Sequence, residues 1–253
     1  MIESLAQKLA KFLPQYGATL WGVLSAPIQW TVVRSPRSDE AWPAMMFWAA
    51  SFALYTLSRF LMFERLPDPS AYVAAIFLSN GLHLVLTALG FFAVWHIFRR
   101  PLAISTMLTA TAYCWGAVIP IQTVAVVLMF GIMRVLDEAL FTTLGNLLNG
   151  CRDFGAVQNA PQLLFSALDS AGTPGLWAIG LYAGLFLGLT AALLVYAVAF
   201  LRGLGQLSGA RGGLFFVMCC LGIVVWSVAG SVGSGVYLML LGDTSACLTV
   251  GSS

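Results

Sequence analysis

Long apolar runs separated by short polar breaks dominate the chain. The clearest of them, residues 106–133, contains no charged side chain. As a helix that rises ~1.5 Å per residue it would be about 42 Å long, whereas the hydrocarbon core of a bilayer is about 30 Å thick. The run therefore predicts a membrane-spanning helix. Its interruptions, Tyr113, Pro120 and Gln122, indicate a central position, because lipid offers polar groups no hydrogen bonds and they face other helices instead.

Four further apolar runs complete a predicted all-α fold, a polytopic integral membrane helical bundle. The five transmembrane helices are predicted at residues 41–63, 72–98, 106–133, 175–201 and 214–241. They make residues 41–241 one transmembrane domain. A long connection of mixed character, residues 134–174, separates the third and fourth helices. Its short amphipathic pieces predict that it lies on the membrane surface or caps the bundle.

Residues 1–40 precede the first predicted span and are expected to be a cytoplasmic amphipathic segment. In residues 1–13 apolar side chains recur at helical spacing opposite polar ones, which predicts a short helix in the membrane interface. Residues 20–33 include Trp21 and Trp30, aromatic anchors typical of the headgroup zone. A second interfacial segment is therefore predicted there.

Composition supports a membrane protein and excludes several other classes. Hydrophobic residues make up 60% of the chain and charged residues 9%, against about one-quarter charged residues in soluble domains. The net charge is +2, and no basic run is long enough to indicate nucleic acid. The five cysteines form no CxxC pair and no Cys/His cluster, so no metal site, cofactor or disulfide framework is predicted. The lipid bilayer is the expected partner.

The basic residues are distributed unevenly over the five-span layout, with 8 on one side and 4 on the other. The first group is Lys8, Lys11, Arg34, Arg37, Arg99, Arg100, Arg202 and Arg211, and the second is Arg59, Arg65, Arg134 and Arg152. The positive-inside rule then places the amino terminus in the cytoplasm and the carboxyl terminus outside. Ten Arg against two Lys, together with the richness in Ala, Gly and Leu, suggest a GC-rich bacterial genome, so the expected location is a bacterial inner membrane. A cleaved signal peptide is the alternative start, but polar residues 15–17 interrupt it.

Small residues recur at helical spacing in the fourth predicted span. Gly180, Gly184 and Gly188 follow one another every four residues, which gives one helix face without side chains. Helix packing inside one bundle is the first interpretation, and a homo-oligomer or a membrane-protein partner is the second. The glycines and serines of the fifth span are a candidate matching surface, although glycine-dense helices also line pores.

Four polar residues inside predicted spans form a candidate intramembrane site: Asn80, His83, Tyr113 and Gln122. Asn80 and His83 lie three residues apart, on one face of the second span. An ionisable residue within a membrane is by default a functional candidate. The alternative interpretation is an interhelical hydrogen bond from Asn80 or His83, worth about 0.6 kcal/mol on average, with Tyr113 or Gln122 as the partner.

Known catalytic motifs are not met, so no catalytic residue is predicted. The sequence GSVGSG at residues 230–235 lacks the GxSG order of serine intramembrane proteases, and no histidine follows it. LLGD at residues 240–243 lacks the first glycine of GxGD, and no second intramembrane aspartate completes a dyad. A phosphate-binding glycine loop and HExxH are also missing from the sequence.

Several features follow one another in a characteristic order. They are Pro27-Ile28-Gln29-Trp30 in an amphipathic stretch, Arg34-Ser35-Pro36 in a polar gap, a first span starting near Ala41, and Ala112-Tyr113 followed by Pro120. Over about residues 20–240 this order resembles the Yip (Ypt-interacting protein) family. The resemblance implies a five-span bundle with a cytoplasmic amino terminus. Eukaryotic members are associated with Rab GTPases and with Golgi or endoplasmic reticulum traffic. Bacterial relatives have mostly no assigned function.

The chain departs from the family in two respects. Pro120 lies two turns after Tyr113, where the family tends to place proline about one turn after, and the 134–174 connection is long. The first functional hypothesis is a non-enzymatic multi-pass membrane protein that organises membrane or binds partners. The alternative is a small channel or transporter with a polar path near His83. A lipid-modifying membrane enzyme is the third hypothesis.

Overall fold

The structure is a computed structural model that describes residues 2–62, 69–139, 141–142 and 173–241. Within these ranges the chain is helical and contains no strand. The helices are α1 (Ile2–Ser25), α2 (Pro27–Arg34), α3 (Ala41–Met62), α4 (Pro69–Ile97), α5 (Ile104–Leu136), α6 (Thr173–Ser208) and α7 (Gly212–Leu241), with a 3₁₀ turn (Ser38–Glu40) between α2 and α3. The all-α prediction is confirmed for the described residues.

Among the described residues, four helical segments are long and apolar enough to cross a membrane: Pro69–Ile97, Ile104–Leu136, Gly175–Ser208 and Gly212–Leu240. The prediction of an integral membrane protein with transmembrane helices rests on these four. Helix α3 has 22 residues but is not among them, because polar and aromatic side chains dilute its apolar run. A fifth span at α3 stays a prediction.

The amino-terminal helices divide at a different place from the predicted segments. Helix α1 continues through residues 15–17 and includes Pro14, so the predicted end of the first helix near residue 13 is wrong. The division comes instead at Ala26, whose φ of −142° and ψ of 59° are not helical. Pro27 then opens α2, where its missing N–H and fixed φ favour the first turn of a helix.

The predicted extracytoplasmic connection, residues 134–174, lies mostly outside the described residues. Helix α5 extends to Leu136 and α6 begins at Thr173, so the described helices take up both ends of this stretch. The proposed surface placement of its remaining residues therefore stays a prediction.

The first of two compact units comprises Met1–Ala53, Leu82–Pro120 and Leu193–Ser231. It contains the carboxyl-terminal ends of α4 and α6 and the amino-terminal ends of α5 and α7. Side chains from these four helices form its apolar core. The most deeply buried are Phe91, Trp95, Met107, Cys114, Leu201, Leu204 and Met218. The core fixes the four helix ends against one another.

Helices α4 and α6 end in the same way within this unit. Each is followed by a residue in the left-handed region, Arg99 with φ of 54° and Gly209 with φ of 69°. The backbone N–H after each of them donates back across the last turn, which is the Schellman arrangement. Trp95 also donates its indole N–H to Ser208 Oγ at 3.0 Å. The two helix ends and their turns therefore lie side by side.

The second unit comprises Leu54–Gly81, Ile121–Ala192 and Val232–Ser253. In its described part the rings of Tyr72 and Tyr237 contact each other, with centroids 6.4 Å apart. The rings of Phe130 and Phe141 do the same at 5.7 Å. The first contact joins α4 to α7, and the second joins α5 to a residue that follows it.

Helix α3 approaches α5 closely at Gly116. An ideal Cβ at Gly116 would lie 2.5 Å from Phe47 Cδ1 and 3.3 Å from Trp48 Cα. At the same place Ser51 Oγ donates to the Gly116 carbonyl at 2.6 Å, and it lies 2.9 Å from the hydroxyl of Tyr16. A glycine and a short hydrogen-bonded chain therefore join α1, α3 and α5.

Replacing Gly116 with alanine should destabilise the protein. Alanine favours a helix over glycine by about 1 kcal/mol, but overpacking against Phe47 and Trp48 costs about 1–3 kcal/mol. Gly131 is the matched control, because it also lies in α5 and an ideal Cβ there meets nothing within 4 Å. Thermal unfolding in detergent should show a lower midpoint for Gly116→Ala and an unchanged or higher one for Gly131→Ala. Equal behaviour of the two variants would contradict the close approach.

Candidate functional site

A buried carboxylate, Glu40, lies at the centre of a polar cluster in the first unit. Only 6% of the residue is exposed. Arg34 at the end of α2 donates a hydrogen bond and forms an ion pair with Oε1. Tyr113 of α5 donates its hydroxyl to Oε2. Both carboxylate oxygens are thus bonded, and one side chain joins α2, the 3₁₀ turn and α5.

Trp30 encloses this carboxylate cluster from the side of α2. Its ring meets the ring of Tyr113 edge to face, with centroids 5.7 Å apart. The Arg34 guanidinium carbon lies 5.1 Å from the Trp30 ring centroid, within the range of a cation–π contact. Trp30 therefore packs against Tyr113 and Arg34, and its place in the headgroup zone stays a prediction. Gly22 leaves room for the Trp30 ring, because an ideal Cβ there would lie 2.2 Å from Trp30 Cζ3.

The surroundings of Glu40 determine its ionisation. Burial by itself would raise the pKa of this carboxyl, but the hydrogen bonds from Tyr113 and Arg34 and the charges of Arg34 and Arg37 outweigh it. The pKa is held below its ordinary 4.5. The pKa of Arg34 is raised in turn, first by its hydrogen bond with Glu40 and then by the negative charge of the Glu40 carboxylate. An ionised carboxylate that accepts a hydrogen bond at each oxygen is suited to holding two helices together, whereas a general base needs a pKa nearer to neutral pH.

His83 of α4 lies in a second cluster within the same unit. Its ring centroid is 4.4 Å from that of Trp115 and 6.5 Å from that of Trp226. Its Nε2 has no hydrogen-bond partner among the described residues. Gly230 makes room for the ring, since an ideal Cβ there would lie 3.1 Å from His83 Cε1. His83 is thus held between α5 and α7 by contacts with two tryptophan rings.

The other three candidate residues each have different surroundings. Asn80 donates its amide to the Ile76 carbonyl at 2.8 Å, one turn earlier in α4. Tyr113 belongs to the Glu40 cluster. Gln122 makes no side-chain hydrogen bond within the described parts of the chain. Within the first unit, His83 and Tyr113 therefore belong to separate clusters with separate partners.

The glycines of α6 lie on an exposed face. An ideal Cβ at Gly180, Gly184 or Gly188 meets no atom within 4 Å in the part of the chain that the structure describes. Two small residues of the candidate matching surface on α7 pack elsewhere. An ideal Cβ at Gly222 would contact α6 and α4, and Gly230 faces His83. The stripe on α6 therefore has no described partner within the chain.

Sequence reasoning did not identify Glu40 and Arg34 as site residues. It placed Arg34 in a polar gap and Glu40 at the end of the amino-terminal segment, residues 1–40. One signal was present: a carboxylate stands directly before an apolar run, six residues after an arginine, with Pro36 between them. Such spacing allows a turn that closes an ion pair. The hydroxyl of Tyr113 comes from a distant helix, and no local pattern reveals it.

The described residues are helical, include four helices long and apolar enough to span a membrane, and hold a buried carboxylate that joins α5 to the amino-terminal helices. Within the described residues, no group of three or more His, Cys, Asp or Glu side chains is placed to hold a metal ion. Compared with protein-family models, curated proteins and solved structures, the chain matches none.

Replacing Glu40 with glutamine should lower the stability of the protein. The change removes the ion pair with Arg34 and weakens the bond from Tyr113, and a hydrogen bond to a charged group is worth about 1.5–3 kcal/mol. Asp39→Asn is the control, because it removes the same charge from an exposed residue next to Glu40. Unfolding in detergent at pH 7 should show a clear loss for Glu40→Gln and little change for Asp39→Asn.

The effect of Glu40 should also depend on pH. Because its folded pKa lies below the ordinary 4.5, its contribution is present in full above that pH and is lost as the pH falls through the folded pKa. The stability difference between wild type and Glu40→Gln should therefore be constant from pH 7 to about 5 and shrink in more acidic buffer. A difference that grows on acidification would show that the carboxylate is not stabilised by these partners.

Proposed function

We propose that the chain is a non-enzymatic multi-pass membrane protein whose amino-terminal helices form a fixed surface on a five-span bundle. That surface binds partner proteins or organises the surrounding membrane. The observation that carries the proposal is the Glu40 cluster. There an ionised carboxylate accepts a hydrogen bond at each oxygen and joins α2 to α5. Glu40, a buried carboxylate, thus has an architectural role.

Helix α3 is the fifth span in this proposal. Its 22 residues would extend about 33 Å as a helix, enough for a hydrocarbon core of about 30 Å. Trp42, at its start, is 73% exposed, as expected of an aromatic side chain at the membrane–water boundary. The close approach to α5 at Gly116 adds support, because small residues mediate helix contacts in lipid.

The end of the bundle that carries Arg100, Arg202 and Arg211 is cytoplasmic in this proposal. The asymmetry of 8 basic residues against 4 in the five-span layout supports it through the positive-inside rule. The amino terminus is then cytoplasmic and the carboxyl terminus outside, in a bacterial inner membrane.

The proposed class is that of Yip-family proteins, which the sequence resembles. Three of the residues on which this resemblance rests, Trp30, Arg34 and Tyr113, meet in the Glu40 cluster. A shared structural role explains why they occur together in one chain. This contact supports the resemblance and, with it, a role in binding other membrane proteins.

No observation favours the channel hypothesis as a second candidate. His83, its central residue, packs between two tryptophan rings and a glycine. Tyr113 is engaged with Glu40. Neither side chain lines an open polar path in the first unit.

Cysteine labelling tests the proposed topology. In a cysteine-free background, Ser38→Cys and Ala103→Cys should react with a membrane-impermeant maleimide only from the cytoplasmic side, and Asn159→Cys only from outside. Positions 38 and 103 follow α2 and precede α5, whereas residue 159 belongs to the connection outside the described residues. Labelling of positions 38 and 103 from opposite sides would rule out α3 as a span.

Reconstitution into liposomes tests the absence of transport and catalysis. The purified chain should give no flux of common ions or small solutes above that of empty liposomes, and His83→Ala should behave like wild type. The lipid composition, followed by mass spectrometry, should also be unchanged after incubation. Flux that His83→Ala abolishes, or a new lipid product, would contradict the proposal.

A further inference from the structure

A cavity of about 700 Å³ lies at the turn that joins α6 to α7. We call it the arginine pocket; its lining includes Arg202, Gln206, Gly209, Arg211, Gly212 and Phe215. No acidic residue lines it. Its volume is within the range of about 300–1,000 Å³ that is usual for small-molecule sites.

The charges of the arginine pocket are uncompensated within the described chain. Arg202 and Arg211 are both exposed, and neither lies within ion-pair distance of a described carboxylate. Arg100 adds a third guanidinium at the rim, because its Nη1 lies 3.7 Å from the position of an ideal Cβ at Gly209. Three guanidinium groups without a carboxylate create a positive potential that attracts anions.

Backbone donors add to this charge. Helix α7 begins at Gly212, and the first N–H groups of a helix have no acceptor within it. These groups and the helix dipole favour an anion, phosphate above all. An ideal Cβ at Gly212 or Gly213 meets nothing within 4 Å, so a ligand can approach the backbone itself.

The walls of the pocket are mixed in character. Val198 and Phe215 supply apolar surface beside the two arginines. The pocket also lies at the end of two helices that are long and apolar enough to span a membrane, which is where lipid headgroups are found. Basic pockets of this kind between membrane helices suit phosphate-bearing headgroups.

We propose that the arginine pocket binds the phosphate group of an anionic ligand, with Arg202 and Arg211 as its charge partners and the amino terminus of α7 as its backbone donor. The phosphate belongs either to a phospholipid headgroup or to a soluble phosphate compound, and the chemistry of recognition is the same for both. Guanidinium groups bind phosphate oxygens in a bidentate manner. This inference rests on the pocket alone and holds independently of the proposed function.

The test is ligand-induced stabilisation of the full chain, purified in a neutral maltoside detergent and stripped of lipid. The probes are dihexanoyl phosphatidylglycerol and inorganic phosphate. Dihexanoylglycerol, which lacks phosphate, and sodium chloride at matched ionic strength are the negative controls. The variant is Arg202→Gln with Arg211→Gln. Arg37→Gln is the matched control, because Arg37 is exposed and does not line the pocket.

Phosphatidylglycerol should raise the unfolding temperature of wild type and of Arg37→Gln, and the double variant should need at least tenfold more ligand for the same shift. Stabilisation by the lipid alone identifies a headgroup site, and stabilisation by inorganic phosphate as well identifies a site for phosphate in general. If wild type and the double variant needed the same ligand concentration for a given shift in unfolding temperature, the proposal would be overturned. Equal stabilisation by dihexanoylglycerol would also overturn it. If the double variant does not fold, Arg211→Gln, at an exposed turn position, gives the same comparison.

Discussion

The buried carboxylate of Glu40 is the interaction on which the placement of the amino-terminal helices depends. An unpaired ion in a low-dielectric interior costs several kcal/mol, and here both oxygens are bonded, one to Arg34 and one to Tyr113. The three groups are stable only together, because removing either partner leaves charge or hydrogen-bonding capacity unsatisfied. Helix α2 is thereby fixed to α5, and the surface it presents has a defined geometry.

Close helix contacts at glycines act alongside this carboxylate. An ideal Cβ at Gly203 would lie 2.7 Å from Thr31 Cβ, so α2 lies directly against α6 as well as α5. Gly116 does the same for α3 and α5. In lipid, where burial of apolar surface gives little preference for one helix partner over another, packing of small residues and interhelical hydrogen bonds determine the arrangement. The carboxylate cluster and the glycine contacts therefore together join α2, α3, α5 and α6 in the first unit.

Hydropathy predicted the four long apolar helices, because the length and apolar character of a segment can be read from that segment alone. It misplaced their ends, since turn chemistry sets these: α6 continues to Ser208, seven residues beyond the predicted 201, until Gly209 takes a left-handed conformation. Tertiary partners could not be predicted in this way. Glu40 and Tyr113 are 73 residues apart. The regular glycines of α6 have no described neighbour, whereas Gly116, which no pattern marks, is tightly packed. The role of a glycine depends on which residues of another helix face it, and the local sequence does not specify those residues.

A double-mutant cycle on Glu40 and Tyr113 tests the central claim most directly. The unfolding free energies of wild type, Glu40→Gln, Tyr113→Phe and the double variant would be measured in the same detergent at pH 7. If the two side chains form one unit, the double variant loses less than the sum of the single losses, with a coupling energy of about 1 kcal/mol or more. Additive losses would contradict the account, because they would mean that Tyr113 and Glu40 stabilise the protein independently.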